Sequence, residues 1–140
     1  MKTLGVDFGE RRIGLAISDP EGRWALPLAT IERRDDRSAI ERIAELARRE
    51  AAESLVVGEP LRLDGTRGEA AERARAFAGK LTRATGLPCS FVDEALTSRQ
   101  ASERLRQAGV DPRKHPERID QVAAQILLQE ALDATPRDEP

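Results

Sequence analysis

The sequence contains no tyrosine, one cysteine and one histidine, and only 3% of its residues are aromatic. Each scarcity closes off a class of protein. A lone Cys89 excludes an internal disulfide and a cysteine-built zinc site, and it agrees with a reducing compartment. So few rings leave no aromatic platform on which single-stranded bases could stack. No apolar run approaches the roughly 20 residues that a bilayer span needs, and the N-terminal apolar stretch meets Asp7 before a signal-peptide core can form. A cytoplasmic protein without membrane association is expected. Nor is basic charge in excess: 23 Lys and Arg stand against 25 Asp and Glu, a net charge of −2. A surface that grips phosphate everywhere would need accumulated cations, so any nucleic-acid affinity has to come from local arrangement.

What is present suits one ordinary core. A chain of 140 residues with 39% hydrophobic content is too short for two comfortable cores. A single domain over 1–134 is expected, with 135–140 as a polar tail. Twenty of the 23 basic residues are arginine. That bias suits bidentate phosphate contact, and arginine-favouring codon usage produces it as well.

The apolar patterning predicts the elements. Residues 3–8, 13–18 and roughly 24–31 are short, β-branched-rich runs separated by turn-forming residues, and they read as three strands joined in consecutive hairpins. Ile40, Ile43, Ala44 and Ala47 recur at helical spacing within 37–51, with Ser38 or Asp36 as a cap. Residues 54–58 form a fourth strand with a continuous apolar centre, as expected of one covered on both faces. A helix through Ala70, Ala74, Phe77, Ala78 and Leu81 ends at Gly86, and a fifth strand spans 88–92. Thr97 caps a third helix closed by Gly109. A linker over 111–116 precedes a last helix over 117–133. Three strands in hairpins followed by helix, strand, helix, strand and two helices imply an α/β mixed five-stranded sheet with helices on both faces.

Three acids stand out. Asp7 sits inside the first strand, where an unpartnered buried carboxylate costs several kcal/mol; it either meets a cation or caps the turn at Gly9. Glu94 follows the fifth strand at its C-terminal end, where open α/β sheets place ligands, although an acid there also suits the next helix dipole. Asp120 stacks with Ala124, Leu127 and Ala131 on a helix face that is otherwise apolar. In the strand order 3-2-1-4-5 the three would be neighbours. Clustered hard oxygen ligands call for a hard divalent cation, Mg²⁺ or Mn²⁺, and a pair of such ions can hydrolyse a phosphodiester by in-line displacement. Arg11, Arg12, Arg62, Arg67, Arg99, Arg113 and Lys114 fall near the same sheet edge and are candidates for a basic rim on nucleic acid. His115 reads as an exposed loop residue.

The segment Leu4-Gly5-Val6-Asp7-Phe8-Gly9-Glu10-Arg11-Arg12-Ile13-Gly14-Leu15-Ala16-Ile17-Ser18-Asp19 resembles the opening of the bacterial YqgF/RuvX family. Val56-Val57-Gly58-Glu59-Pro60 with Asp64-Gly65-Thr66, Phe77-Ala78, Asp93-Glu94 with Leu96-Thr97-Ser98, and Ile119-Asp120 with Ala123 to Gln129 resemble its remaining blocks, in order. The resemblance implies an RNase H-like fold and metal-binding acids at Asp7, Glu94 and Asp120. It also implies either of two substrates, the precursor 5′ end of 16S ribosomal RNA or the four-way Holliday junction. Two positions depart from the family pattern. Ala95 stands where an arginine usually follows the Asp-Glu pair, and Glu59 replaces an apolar residue, adding an acid near the expected site.

Two other classes compete with the nuclease. Asp7-Phe8-Gly9 with Gly14 also resembles the phosphate-binding hairpin of actin-like ATPases, but those close two lobes around a nucleotide and this chain supplies one. A non-catalytic RNA-binding assembly module would keep the fold without the chemistry. A junction-cutting enzyme favours a homodimer, whereas trimming an RNA end needs only a monomer.

Overall fold

A computed structural model describes residues 1–94 and 97–134, without the side chain of Ser98. Ala95, Leu96 and the tail expected over 135–140 lie outside the described residues. The strands are β1 (Thr3–Phe8), β2 (Arg12–Ser18), β3 (Ala25–Glu32), β4 (Ser54–Glu59) and β5 (Cys89–Asp93). The helices are α1 (Asp36–Arg49), α2 (Glu69–Thr85), α3 (Thr97–Gln107) and α4 (Pro116–Ala134), and a 3₁₀ turn spans Pro112–Lys114. The sheet order is β3-β2-β1-β4-β5, as the hairpin-then-crossover pattern predicts. β1, β2 and β3 pair antiparallel, while β4 and β5 run parallel to β1.

Boundaries differ from the sequence pattern by one or two residues, and two local details differ in kind. The side chain of Asp35, rather than Ser38 or Asp36, caps α1 by accepting a hydrogen bond from the Ser38 amide at 2.7 Å. Asp35 has the extended backbone that a cap requires, whereas Asp36 is already helical. The linker over 111–116 tightens into a 3₁₀ turn, capped when Asp111 accepts from the Arg113 amide. α2 ends as predicted, with Gly86 left-handed at φ 71°.

Strand alternation divides the interior in two. Leu4, Val6, Ile13, Leu15, Leu55 and Val57 face α1 and α2, packing with Ile43, Phe77 and Leu81 into the larger core. Ala16 and Val56 face the other way, against Ala124, Leu127, Leu128 and Leu132 of α4. α3 packs on α4 through Ala101, Ala123 and Ile126. Among the described residues no helix is long and apolar enough to cross a membrane.

The α4 face of the sheet is built from small residues. A Cβ on Gly5 would stand 2.8 Å from Leu128 Cβ, and one on Gly14 would overlap the backbone carbonyl of Asp120. Real Cβ atoms do not tolerate such separations, so these glycines let α4 lie close on the sheet. That proximity brings the N-terminal part of α4 down to the end of β1.

Candidate active site

Asp7 is the penultimate residue of β1 and is paired across the hairpin with Gly14 of β2. Side chains at paired antiparallel positions share a face. Because Gly14 lies under Asp120, Asp7 also points to the α4 side. Among the described residues its carboxylate shows no cap on the turn at Gly9; it lies beside the carboxyl of Glu94, close enough for each charge to bear on the other.

Glu94 is fixed by its backbone. Its amide donates to the Glu59 carbonyl at 3.1 Å, and its own carbonyl accepts from both the amide and the hydroxyl of Thr97, at 3.1 and 3.0 Å. Thr97, read from sequence as a helix cap, is a buried clamp on the acid. The Glu94 side chain lies against Gly58 of β4, where any Cβ would collide with Oε2. That oxygen is buried and, among the described residues, has no hydrogen-bond partner. Burial first, then the neighbouring Asp7, pushes the Glu94 carboxyl far above its ordinary range, and Asp93 adds repulsion.

Asp120 is the fifth residue of α4. Its carboxylate accepts from Arg12 Nε at 2.6 Å, an ion pair whose side chains are 18% and 40% exposed respectively. Burial outweighs the guanidinium and raises the Asp120 carboxyl above its ordinary value, with Asp7 and Glu117 adding repulsion. The three predicted acids thus lie around one point at the C-terminal ends of β1 and β5. Asp7 is close enough to act electrostatically on both of the others, and Asp120 is held by an arginine. Among the described residues no group of three or more His, Cys, Asp or Glu closes into a ready metal cage. The orphaned Glu94 Oε2, the cleared space beside Gly58 and the all-oxygen donor set nonetheless fit a hard divalent cation held by Asp7 and Glu94, with Asp120 adjacent.

The basic residues separate. Arg12 is the one that touches an acid of the site among the described residues. Arg67 pairs instead with Glu59 at 3.1 Å. Arg62 lies over Gly68 in the loop after β4, and Arg113 bonds back to Asp111. Arg11, Arg99 and Lys114 are exposed. His115 is partly exposed, 3.5 Å from Glu117.

Glu59 corrects the sequence reading, because it adds no acid to the site. Alternation turns it to the α2 side, where it is 6% exposed and bound to Arg75. Arg75 in turn stacks 4.2 Å over the Phe91 ring. Arg75, followed by burial working in the opposite sense and then Arg67, leaves the Glu59 carboxyl below its ordinary range.

The hairpin-first topology, the strand order and acids gathered at one sheet edge define an α/β protein of the RNase H-like fold. Solved structures share that fold. Thermus thermophilus RuvC in complex with a Holliday junction substrate superposes with a TM-score of 0.57 at 20% identity, covering 96% of this chain and 94% of that one. The fowlpox virus resolvase with Holliday junction DNA gives 0.59 at 11% identity, covering 96% and 98%. The chain belongs to the RuvX family, described as Holliday junction resolvase, which matches residues 1–134. Relatives bearing the name "Putative pre-16S rRNA nuclease" include one from Syntrophus aciditrophicus, 44% identical over 96% of this chain and 89% of its own length. Another, from Chloroflexus aggregans, is 47% identical over 94% and 92%.

Proposed function

We propose that this chain is a divalent-metal-dependent nuclease in which Asp7, Glu94 and Asp120 hold the metal, and that its substrate is the precursor 5′ end of 16S ribosomal RNA. The observation that carries the reading is the juxtaposition of the Asp7 and Glu94 carboxyls with one Glu94 oxygen buried and, among the described residues, unpartnered. A purely structural pair would waste that oxygen, since an unsatisfied buried acceptor costs about 1–3 kcal/mol. Bound Mg²⁺ or Mn²⁺, in a two-ion arrangement, would supply water activation and stabilisation of the leaving oxygen.

The protein's own residues supply position and charge. β1 presents Asp7, the Thr97 clamp sets Glu94, and close packing on Gly14 sets Asp120. Arg12 stands at the rim, with Arg62 and Arg67 in the loop after β4 and Arg11, Arg99, Arg113 and Lys114 as further candidate phosphate contacts. The names of the relatives support the RNA substrate. The family's own description supports a second reading, cleavage of four-way DNA junctions by a homodimer, whereas a monomer suffices for RNA trimming.

The test is incubation with Mn²⁺ and two labelled substrates, an RNA carrying the precursor extension and a four-way junction, with Asp7→Asn alongside. Metal-dependent cutting of the RNA alone, lost in the mutant, is the expected result. Symmetric junction nicks would transfer the proposal to DNA. Cutting of neither, with mutant and parent binding alike, would leave a non-catalytic binding module.

A further inference from the structure

The acid nearest to becoming a third metal ligand is already taken. Arg12 Nε sits 2.6 Å from Asp120 Oδ2, on a side chain that is 40% exposed. The backbone of Asp120 cannot retreat, because its carbonyl lies directly over Gly14. Rotation about its side-chain bonds is the freedom left to it. The guanidinium holds it, and Asp7 is close enough for its charge to be felt. With Asp120 bonded to Arg12, the described acids do not close into a cage.

We infer that Arg12 is a built-in counter-cation for Asp120, which a divalent metal displaces, so that loading the metal frees the guanidinium for a substrate phosphate. The inference rests on the nuclease reading above and assigns Arg12 two successive partners within it. Charge decides the direction. Asp120 placed beside Asp7 without a cation would set two carboxylates against each other in a half-buried site, whereas a divalent ion there offers more charge than one guanidinium. A guanidinium released from a carboxylate keeps its planar fork of donors, which fits a phosphate bidentately. Metal binding and phosphate binding are then coupled with positive sign, and each must strengthen the other by the same factor.

A residue that merely props Asp120 in place would behave differently. Orienting partners of metal ligands typically cost 10–100-fold in metal affinity when removed. A competing cation does the opposite, and its removal tightens metal binding. Losing a partly exposed ion pair worth up to about 1 kcal/mol corresponds to roughly three- to fivefold.

The experiment follows the Arg12 Nε–H resonance by ¹H–¹⁵N NMR during titration with Mg²⁺ alone, the signal being assigned by its loss in Arg12→Lys. Mn²⁺ binding to the parent and to Arg12→Met is measured by calorimetry. The expected result is a protected Nε–H in metal-free protein that shifts and exchanges faster as Mg²⁺ saturates, with Mn²⁺ binding several-fold tighter in Arg12→Met. An Nε–H unmoved at saturating Mg²⁺, or weaker Mn²⁺ binding in Arg12→Met, overturns the exchange while leaving the metal site standing. Absence of any metal heat in both proteins removes the metal site, and the exchange with it. Circular dichroism of Arg12→Met ensures that a folded protein is being compared.

Discussion

Replacing Gly5 by alanine tests whether the α4 face is as tightly closed as the packing requires. The added Cβ would stand 2.8 Å from Leu128 Cβ and 3.3 Å from the Ala124 carbonyl oxygen, against 3.4 Å at the near edge of ordinary contact. About 0.6 Å has to be found at the first of these. Leu128 Cβ is fixed to the helix backbone, so no rotamer change relieves it, and α4 must lift or tilt as a body. Overpacking of this kind costs about 1–3 kcal/mol, which for a domain of this size lowers the melting temperature by roughly 3–15 °C. Gly79→Ala in α2 is the control. Its new Cβ would find Arg83 Nη1 at 3.7 Å and nothing nearer, so a gain of about 0.5–1 kcal/mol from helix propensity is expected. The lift also carries Asp120 away from Asp7, two turns along the same helix, and should weaken Mn²⁺ binding. Urea melts and calorimetry of the two variants read both effects. A Gly5→Ala protein as stable as the parent, or binding metal equally well, would show that α4 is not seated as described.

Metal-free protein should lose stability as pH rises from near 4.5 toward neutrality, because folded Glu94 keeps a proton that the unfolded chain releases. Urea midpoints in chelator from pH 5 to 8 should slope downward for the parent and more shallowly for Glu94→Gln; parallel slopes would contradict the Asp7–Glu94 juxtaposition. Glu59 works with the opposite sign. Its carboxyl lies below the ordinary range, so its pairing with Arg75 stabilises fully above about pH 4.5 and fades as acid protonates it. Glu59→Gln should cost about 1–2 kcal/mol at neutral pH, less than the 3–5 of a fully buried pair because Arg75 is one-third exposed and can turn to water. An unchanged urea midpoint would refute the pairing.

Local periodicity made the elements legible, since strand alternation and helical stripes are properties of neighbouring residues. Asp120 was visible for the same reason, as an acid on the Ala124–Leu127 stripe. Partners across the fold were not. Glycines 5, 14 and 58 carry no local cue to the helix and the Glu94 carboxyl that lie against them, because those partners are distant in sequence. Arg12 carried no mark distinguishing it from Arg11, yet one starts β2 beside Asp120 and the other lies in the preceding turn. Thr97 shows how a correct local cue can conceal a different task, since a hydroxyl at a helix start suggests a cap and instead donates to the Glu94 carbonyl.

Glu59 is adjacent in sequence to Gly58, which cradles Glu94, and nearness in sequence suggested a fourth acid at the site. The strand period of two reverses that conclusion. Gly58 leaves its space to Glu94 on the α4 side, while Glu59 enters the α2 side between Arg75 and Arg67. Arg75 and Arg67 both pair with this one buried carboxylate, which draws Arg67, a half-exposed candidate rim cation, toward the sheet. The departure from the family pattern at this position therefore acts on the loop after β4 and its cations, while the charge of the three-acid cluster stays as the α4 face sets it. A sheet one residue thick is enough to separate the two side chains, because Leu55 and Val57 fill one side of β4 and Val56 the other.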